Sequence, residues 1–277
     1  MSPLVRAARA SGQRLATRRG AVSSEPVFLG LCALLFVVSV AATLAHNASM
    51  PAMGALPMPG GSSMSTLWMP TCGRTWARAA ASFVGMWIVM MAAMMLPSLM
   101  LMLLRYRDAI GARATAGQRA LLTNLVSGGY ALVWIALGVA VFALGASLPA
   151  LELRWPALAR LVPLVASGVV LLAGALQFST WKAHRLACCR ATPSLAADAA
   201  SAWRYGLRMG IDCAGCCAGL TAILLVVGMT DWRLMAVVTA AITAERVASD
   251  GARVARAIGV VAVGGGGLLL VKAVSGG

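Results

Sequence analysis

Cys213, Cys216 and Cys217 stand at i, i+3 and i+4 in the run Asp212-Cys213-Ala214-Gly215-Cys216-Cys217. On a helix that spacing puts three sulfurs on one face. Three soft donors held together suit a thiophilic metal, Cu(I) first and zinc as the alternative. Cys188 and Cys189 form a second pair upstream, so five of the seven cysteines fall in two short segments. Lys182, Arg185, Arg190, Arg208 and Arg246 are placed to favour the metal-binding thiolate. The competing reading is that these are small buried side chains. Glu245, next to Arg246, is an acid near the end of an apolar run, which is costly unless paired or functional. It reads either as the ion-pair partner of Arg208 or Arg246 or as a group near the metal.

Thioethers are the second kind of soft donor. Met86, Met90 and Met94 repeat every four residues, as do Met91 and Met95 behind Trp87, and Pro97 follows. Met90, Met94 and Met95 make either a ladder for a soft cation or pliable packing. Pro97 is expected to kink the helix just past them. Other chemistries find no footing. The zinc-ribbon pairing of C-x-x-C units is missing, and Cys213 to Cys216 lacks a surrounding βαβ pattern. There is no nucleophile elbow, P-loop or dinucleotide fingerprint, so no catalytic set is read and a non-enzymatic role is expected. Two histidines in the whole chain argue against a haem bound by two of them within a membrane.

The elements that must position these groups follow from composition. Hydrophobic residues make up 60% of the 277 and charged residues 11%, outside the balance of soluble domains. The expectation is all-α: a polytopic transmembrane helical bundle of about seven spans. A net charge of +15 could suggest nucleic acid, but the basic residues sit in short loops between apolar runs. Their partner is the anionic lipid of the bilayer, and no nucleic acid is expected.

Four regions are expected. Residues 1–25 form a basic cytoplasmic tail, and 26–45 a first transmembrane anchor. A cleavable signal peptide is the rival for that anchor, but the arm before it is long and the run is span-length. Residues 46–81 form an outer loop rich in Pro and Gly, with His46, Met50, Met53, Met58, Met64, Met69 and Cys72 as a flexible metal-collecting segment. Residues 82–274 form the metal-binding bundle, with spans at 82–104, 121–148, 161–180, 206–231, 234–247 and 257–273. The four glycines 264–267 are expected to permit close helix contact rather than break the last span. With the N-terminus cytoplasmic, the inner segments hold 17 of the 23 Lys and Arg, which fixes the orientation. That topology puts Cys188, Cys189, Cys213, Cys216, Cys217 and Glu245 at one level, on the reducing side, where thiols stay reduced.

At these residues a family resemblance enters. The stretch Met86–Pro97 (M-W-x-x-M-x-x-A-M-M-x-P), the run from Gly206 through C-x-G-C-C to Cys217, and Ala244-Glu245-Arg246 resemble a bacterial domain-of-unknown-function family of predicted metal-binding integral membrane proteins. The resemblance covers roughly residues 80 to 250. It implies metal binding in a bacterial inner membrane and leaves the metal unnamed. The family pattern implies a K-x-x-C-L-x-x-C-R segment. Lys182, Leu186, Cys189 and Arg190 fit it, Arg185 stands at the first cysteine, and Cys188 offers a thiol close by. Ala218 stands where a tryptophan is implied.

These readings converge on an inner-membrane protein handling Cu(I). Cys213, Cys216 and Cys217 are the core ligands, Cys189 or Cys188 completes them, and methionines lead from outside. A metal donor or acceptor protein is implied as partner, and self-association is compatible with the bundle. A membrane thiol-disulfide oxidoreductase and a structural subunit of a metalloenzyme assembly are the alternatives. Topology can be checked directly. A reporter active only in the cytoplasm is expected to work when fused within 105–119 and to be silent within 46–81; the reverse pattern would invert the bundle.

Overall fold

The computed structural model describes residues 26–46, 56–57, 63–64, 75–190, 197–228 and 231–275. The tail at 1–25 and most of the outer loop, including Met50, Met53, Met58, Met69 and Cys72, lie outside the described residues. Within that loop, Leu56–Pro57 and Ser63–Met64 pair as a two-residue antiparallel ladder.

Everything else of regular structure among the described residues is helical. The helices are α1 (Pro26–His46), α2 (Trp76–Ile110), α3 (Ala116–Arg154), α4 (Pro156–Leu176), α5 (Thr180–Arg190), α6 (Ala199–Val227), α7 (Trp232–Val247) and α8 (Gly251–Ser275). Among the described residues, five are long and apolar enough to cross a membrane: α1, α2, α3 over Ala116–Leu148, α6 and α8. The segments Leu161–Leu176 and Thr180–Cys189 pass the same test together but meet at 67°, as a broken span or a re-entrant loop. The described residues thus hold five such helices, or six with the bent pair, rather than the seven spans expected, and the run at 161–180 is broken between Leu176 and Thr180. The run at 234–247 forms the 16-residue α7, about 24 Å at 1.5 Å per residue, short of the roughly 30 Å of a bilayer core.

Helix ends follow local chemistry. Thr115 and Gln118 make a reciprocal capping box at α3, each side chain taking the other's backbone N–H. Asp231 caps α7 through the Arg233 and Leu234 N–H groups, and Asp250 accepts from Arg253 N ahead of α8. Asp198 caps α6 through Ser201 N at 2.9 Å, and its hydrogen bonds with Ser201 hold the carboxyl below the usual carboxylate range. Gly228, at φ +150°, closes α6, a conformation that side-chain-bearing residues rarely adopt. Because Asp198 caps it, α6 begins well before the apolar run that marks it in sequence. The cysteines therefore lie about halfway along a 29-residue helix rather than at its head.

Two close helix contacts organise the bundle: α3 along α6 and α4 along α8, with α2 lying against α3 and α7. Small residues make the first one. A Cβ at Gly206 would run into the backbone of Val126, and one at Gly210 would sit 2.9 Å from the Val133 side chain. The G-x-x-x-G spacing thus lets two backbones approach, as in lipid-embedded helix pairs. Gly174 and Gly266 serve the α4–α8 contact in the same way, and Gly259 meets Gln177 and Phe178 in the turn after α4. Of the glycines 264–267, only Gly266 meets a neighbour, and α8 runs through all four. Likewise α2 continues through Pro97, with Ser98 Oγ donating to Met95 O at 2.9 Å. Trp87 locks α2 to α3, its Nε1 donating to Trp134 O at 2.9 Å.

Gly206→Leu is expected to overpack the α3–α6 contact at a cost of about 1–3 kcal/mol. Gly264→Leu, with nothing within 4 Å of its Cβ position, is expected to be neutral. Melting temperatures of the two purified variants in detergent check this, and equal shifts would contradict it.

Candidate metal centre

The α3–α6 contact carries a consequence for chemistry. With Gly206 and Gly210 against α3, the next turns of α6 bring Cys213 to Tyr130, whose hydroxyl lies 2.9 Å from Cys213 Sγ. The bend after α4 does the same from the other side. Backbone bonds from Gln177, Phe178 and Ser179 to Gly174, Ala175 and Leu176 form a tight turn. Ser179 Oγ then accepts from Lys182 N at 3.1 Å and starts α5. Redirected in this way, α5 lies across α6.

Four of the five clustered cysteines meet as a result. Cys189 of α5 is within hydrogen-bonding reach of Cys216, Cys216 of Cys217, and Cys217 of Cys213. All four are buried, Cys213 completely. Cys188, one residue off the α5 face that meets α6, is half-buried and pairs with His184 Nε2 at 3.6 Å. It does not join the other four. The described cysteines are all free thiols.

Around the thiols stand two cations. Lys182 Nζ donates to Glu245 Oε2 at 2.7 Å and to the Cys216 carbonyl at 2.6 Å, while Gln177 Nε2 donates to Glu245 Oε1 at 3.1 Å. Where the sequence offered Arg208 or Arg246, Glu245 forms an ion pair with Lys182 of α5. Arg246 points into the sulfur cluster itself. Its Nη2 lies 3.0 Å from Cys213 Sγ and 3.2 Å from Cys217 Sγ, and its Nη1 lies 3.0 Å from Ser98 Oγ and 3.9 Å from Met102 Sδ. Arg185, where the family resemblance implies a thiol, instead pairs with Asp212 at 2.6 Å and lies over the Trp181 ring.

The methionine ladder is buried as well. Met90, Met94 and Met95 sit in the same core as the cysteines, with Met94 and Met95 at 1% exposure. The thioether that reaches the thiol cluster, through Arg246, belongs to Met102, a residue the sequence reading passed over along with Ser98, Tyr130 and Gln177. A signal for two of these was present. The four-residue stripe Met86, Met90, Met94 continues without a break through Ser98 to Met102, along one line of α2.

As they stand, the thiols form a line rather than a cage. Among the described residues no group of three or more His, Cys, Asp or Glu side chains is arranged to hold a metal ion. The donor chemistry is nevertheless soft. Asp212 and Glu245 are engaged by cations, which leaves the thiols and a thioether, a set that suits a soft monovalent ion.

Replacing Lys182 with Met would leave Glu245 buried without its cation, at a cost of about 3–5 kcal/mol. Lys182→Met combined with Glu245→Gln is expected to recover most of that. Unfolding midpoints in detergent provide the check; a double variant no more stable than the single one would mean the pair is not the unit.

A family model described as PpoB2, copper chaperone, matches residues 84–269. No curated protein and no solved structure matches the chain.

Proposed function

The chain belongs to the PpoB2 copper chaperone family, and we propose on that footing that it binds Cu(I) as cargo within the membrane through the buried thiols of α5 and α6. The observation that carries the reading is the row of buried thiols, Cys189 beside Cys216, Cys216 beside Cys217 and Cys217 beside Cys213, a soft donor set inside the apolar bundle. Cys213 and Cys217 share a cation-facing site, and Cys216 and the α5 residue Cys189, both buried, extend it. Met90, Met94 and Met95 offer weaker thioether sites along α2, with Met102 as the thioether nearest the thiols. Glu245 acts indirectly, by holding Lys182 against the Cys216 carbonyl.

The proposed setting is the bacterial inner membrane, crossed several times, with the N-terminus in the cytoplasm and the methionine-rich segment 46–81 outside. Weak thioether sites followed by strong thiolates bias a soft ion inward without driving it. Sustained movement therefore calls for a donor or acceptor protein.

One observation favours a second reading. Cys189 lies beside Cys216, itself part of C-x-x-C, so a dithiol–disulfide exchange is within reach of the same sulfurs. The two readings separate in one experiment on the purified protein. Metal analysis is expected to give stoichiometric copper in the wild type and none in the Cys213→Ser, Cys216→Ser, Cys217→Ser triple variant. Unchanged copper in the triple variant removes the site. A wild type free of metal, whose alkylation mass shifts with redox treatment, supports the oxidoreductase.

A further inference from the structure

Arg246 is the group around which the sulfurs are arranged, and its surroundings are unusual for a buried cation. A guanidinium does not shed its proton in a protein. Yet among the described residues the ion pairs are Lys182–Glu245, Arg185–Asp212 and Arg253–Asp250, and none includes Arg246. Its Nη2 donates to Cys213 Sγ and Cys217 Sγ and more weakly, at 3.5 Å, to the Cys213 carbonyl. Its Nη1 donates to Ser98 Oγ, and its Nε has no hydrogen-bond partner. A permanent charge is thus held at 7% exposure by groups that are neutral while the thiols keep their protons. The other nearby cation, Lys182, is already cancelled by Glu245.

We infer that Arg246 sets the charge selectivity of the site, making it a receptor for a soft monovalent cation and disfavouring divalent ones. The inference rests on the Cu(I)-binding reading above and follows from charge balance. With protonated thiols the cluster carries one uncompensated positive charge. With Cu(I) bound between Cys213 and Cys217, two thiolates, one monovalent ion and one guanidinium sum to zero. Zn(II) bound to the same two thiolates leaves the positive charge standing. A divalent ion would reach neutrality only by drawing in a third thiolate, and these thiols run in a line with no three arranged around a common point. In a low-dielectric interior, one uncompensated charge is enough to decide between ions. Met102 Sδ, 3.9 Å from the guanidinium, adds a neutral thioether that favours the softer ion without altering the count.

Two substitutions change the charge by different routes. Arg246→Met removes the guanidinium. Ser98→Asp keeps it but places a carboxylate against Nη1, where Ser98 Oγ now sits. Affinities of the purified full-length protein for Cu(I), or for Ag(I) as an air-stable surrogate, and for Zn(II) are measured by competition with chelators. Both variants are expected to lower the preference for monovalent over divalent ion on the order of tenfold or more, with Zn(II) binding held or strengthened. Arg246→Lys, which keeps the charge, is expected to retain the wild-type preference. A purely structural arginine would weaken both ions together and leave their ratio alone. An unchanged ratio in either folded variant overturns the inference. A wild type that binds neither Cu(I) nor Ag(I) overturns instead the site on which it rests.

Discussion

A positive charge that cannot be neutralised by losing its proton has to be accommodated somewhere inside this bundle, and the placement of Arg246 governs much of the architecture around it. The guanidinium projects from the last turn of α7, a helix too short to stand as an ordinary span. It reaches α2 through Ser98 and Met102, and α6 through Cys213 and Cys217. Three helices are therefore tied at one point by donors from a single side chain. The neighbouring residue, Glu245, is committed to Lys182 and Gln177 on the α4–α5 arm. Two consecutive residues of α7 thus hold opposite walls of the thiol cluster. A buried charge contributes little net stability once its desolvation is counted, so such a network is better understood as fixing geometry than as strengthening the fold.

The close approach of α3 and α6 supplies the third wall. It depends on the absence of side chains at Gly206 and Gly210 rather than on any attraction between large ones. Because those glycines lie within two turns of Cys213, the contact that packs the bundle also delivers the Tyr130 hydroxyl to that sulfur. Packing and chemistry are linked here by the helical repeat. A change at Gly210 would move the thiol before it loosened the helices elsewhere.

Much of this was legible from residue types and spacing. The all-helical class followed from composition, because only hydrogen-bonded helices let so apolar a chain satisfy its backbone. The i, i+3, i+4 thiols do fall on one buried face of α6. The placement of Cys189 beside them could be expected from two apolar runs ending at one level. What spacing could not give was partner choice across helices. Glu245 pairs with Lys182 because the 67° bend after Leu176 turns α5 across α6, and no pattern within either segment encodes that angle. The start of α6 was missed for a different reason. Residues 199–211 are interrupted by Arg204 and Arg208, so hydropathy lapses there, whereas the helix continues from its Asp198 cap. Ser98 and Met102 were visible in the methionine stripe, past Pro97, through which α2 continues.

The paired cysteines of α5 illustrate how a one-residue register decides role. Adjacent positions on an α-helix point about 100° apart, so Cys188 and Cys189 cannot both face α6. Cys189 is the inward one, in reach of Cys216. Cys188 is left at the margin beside His184. The line of thiols therefore runs from Cys189 through Cys216 and Cys217 to Cys213, with Cys188 left outside it. It stops against Arg246, beyond which the soft atom is Met102 on the stripe of α2. The guanidinium thus lies between the thiolate arm and the thioether arm, at the one place where its charge can act on both.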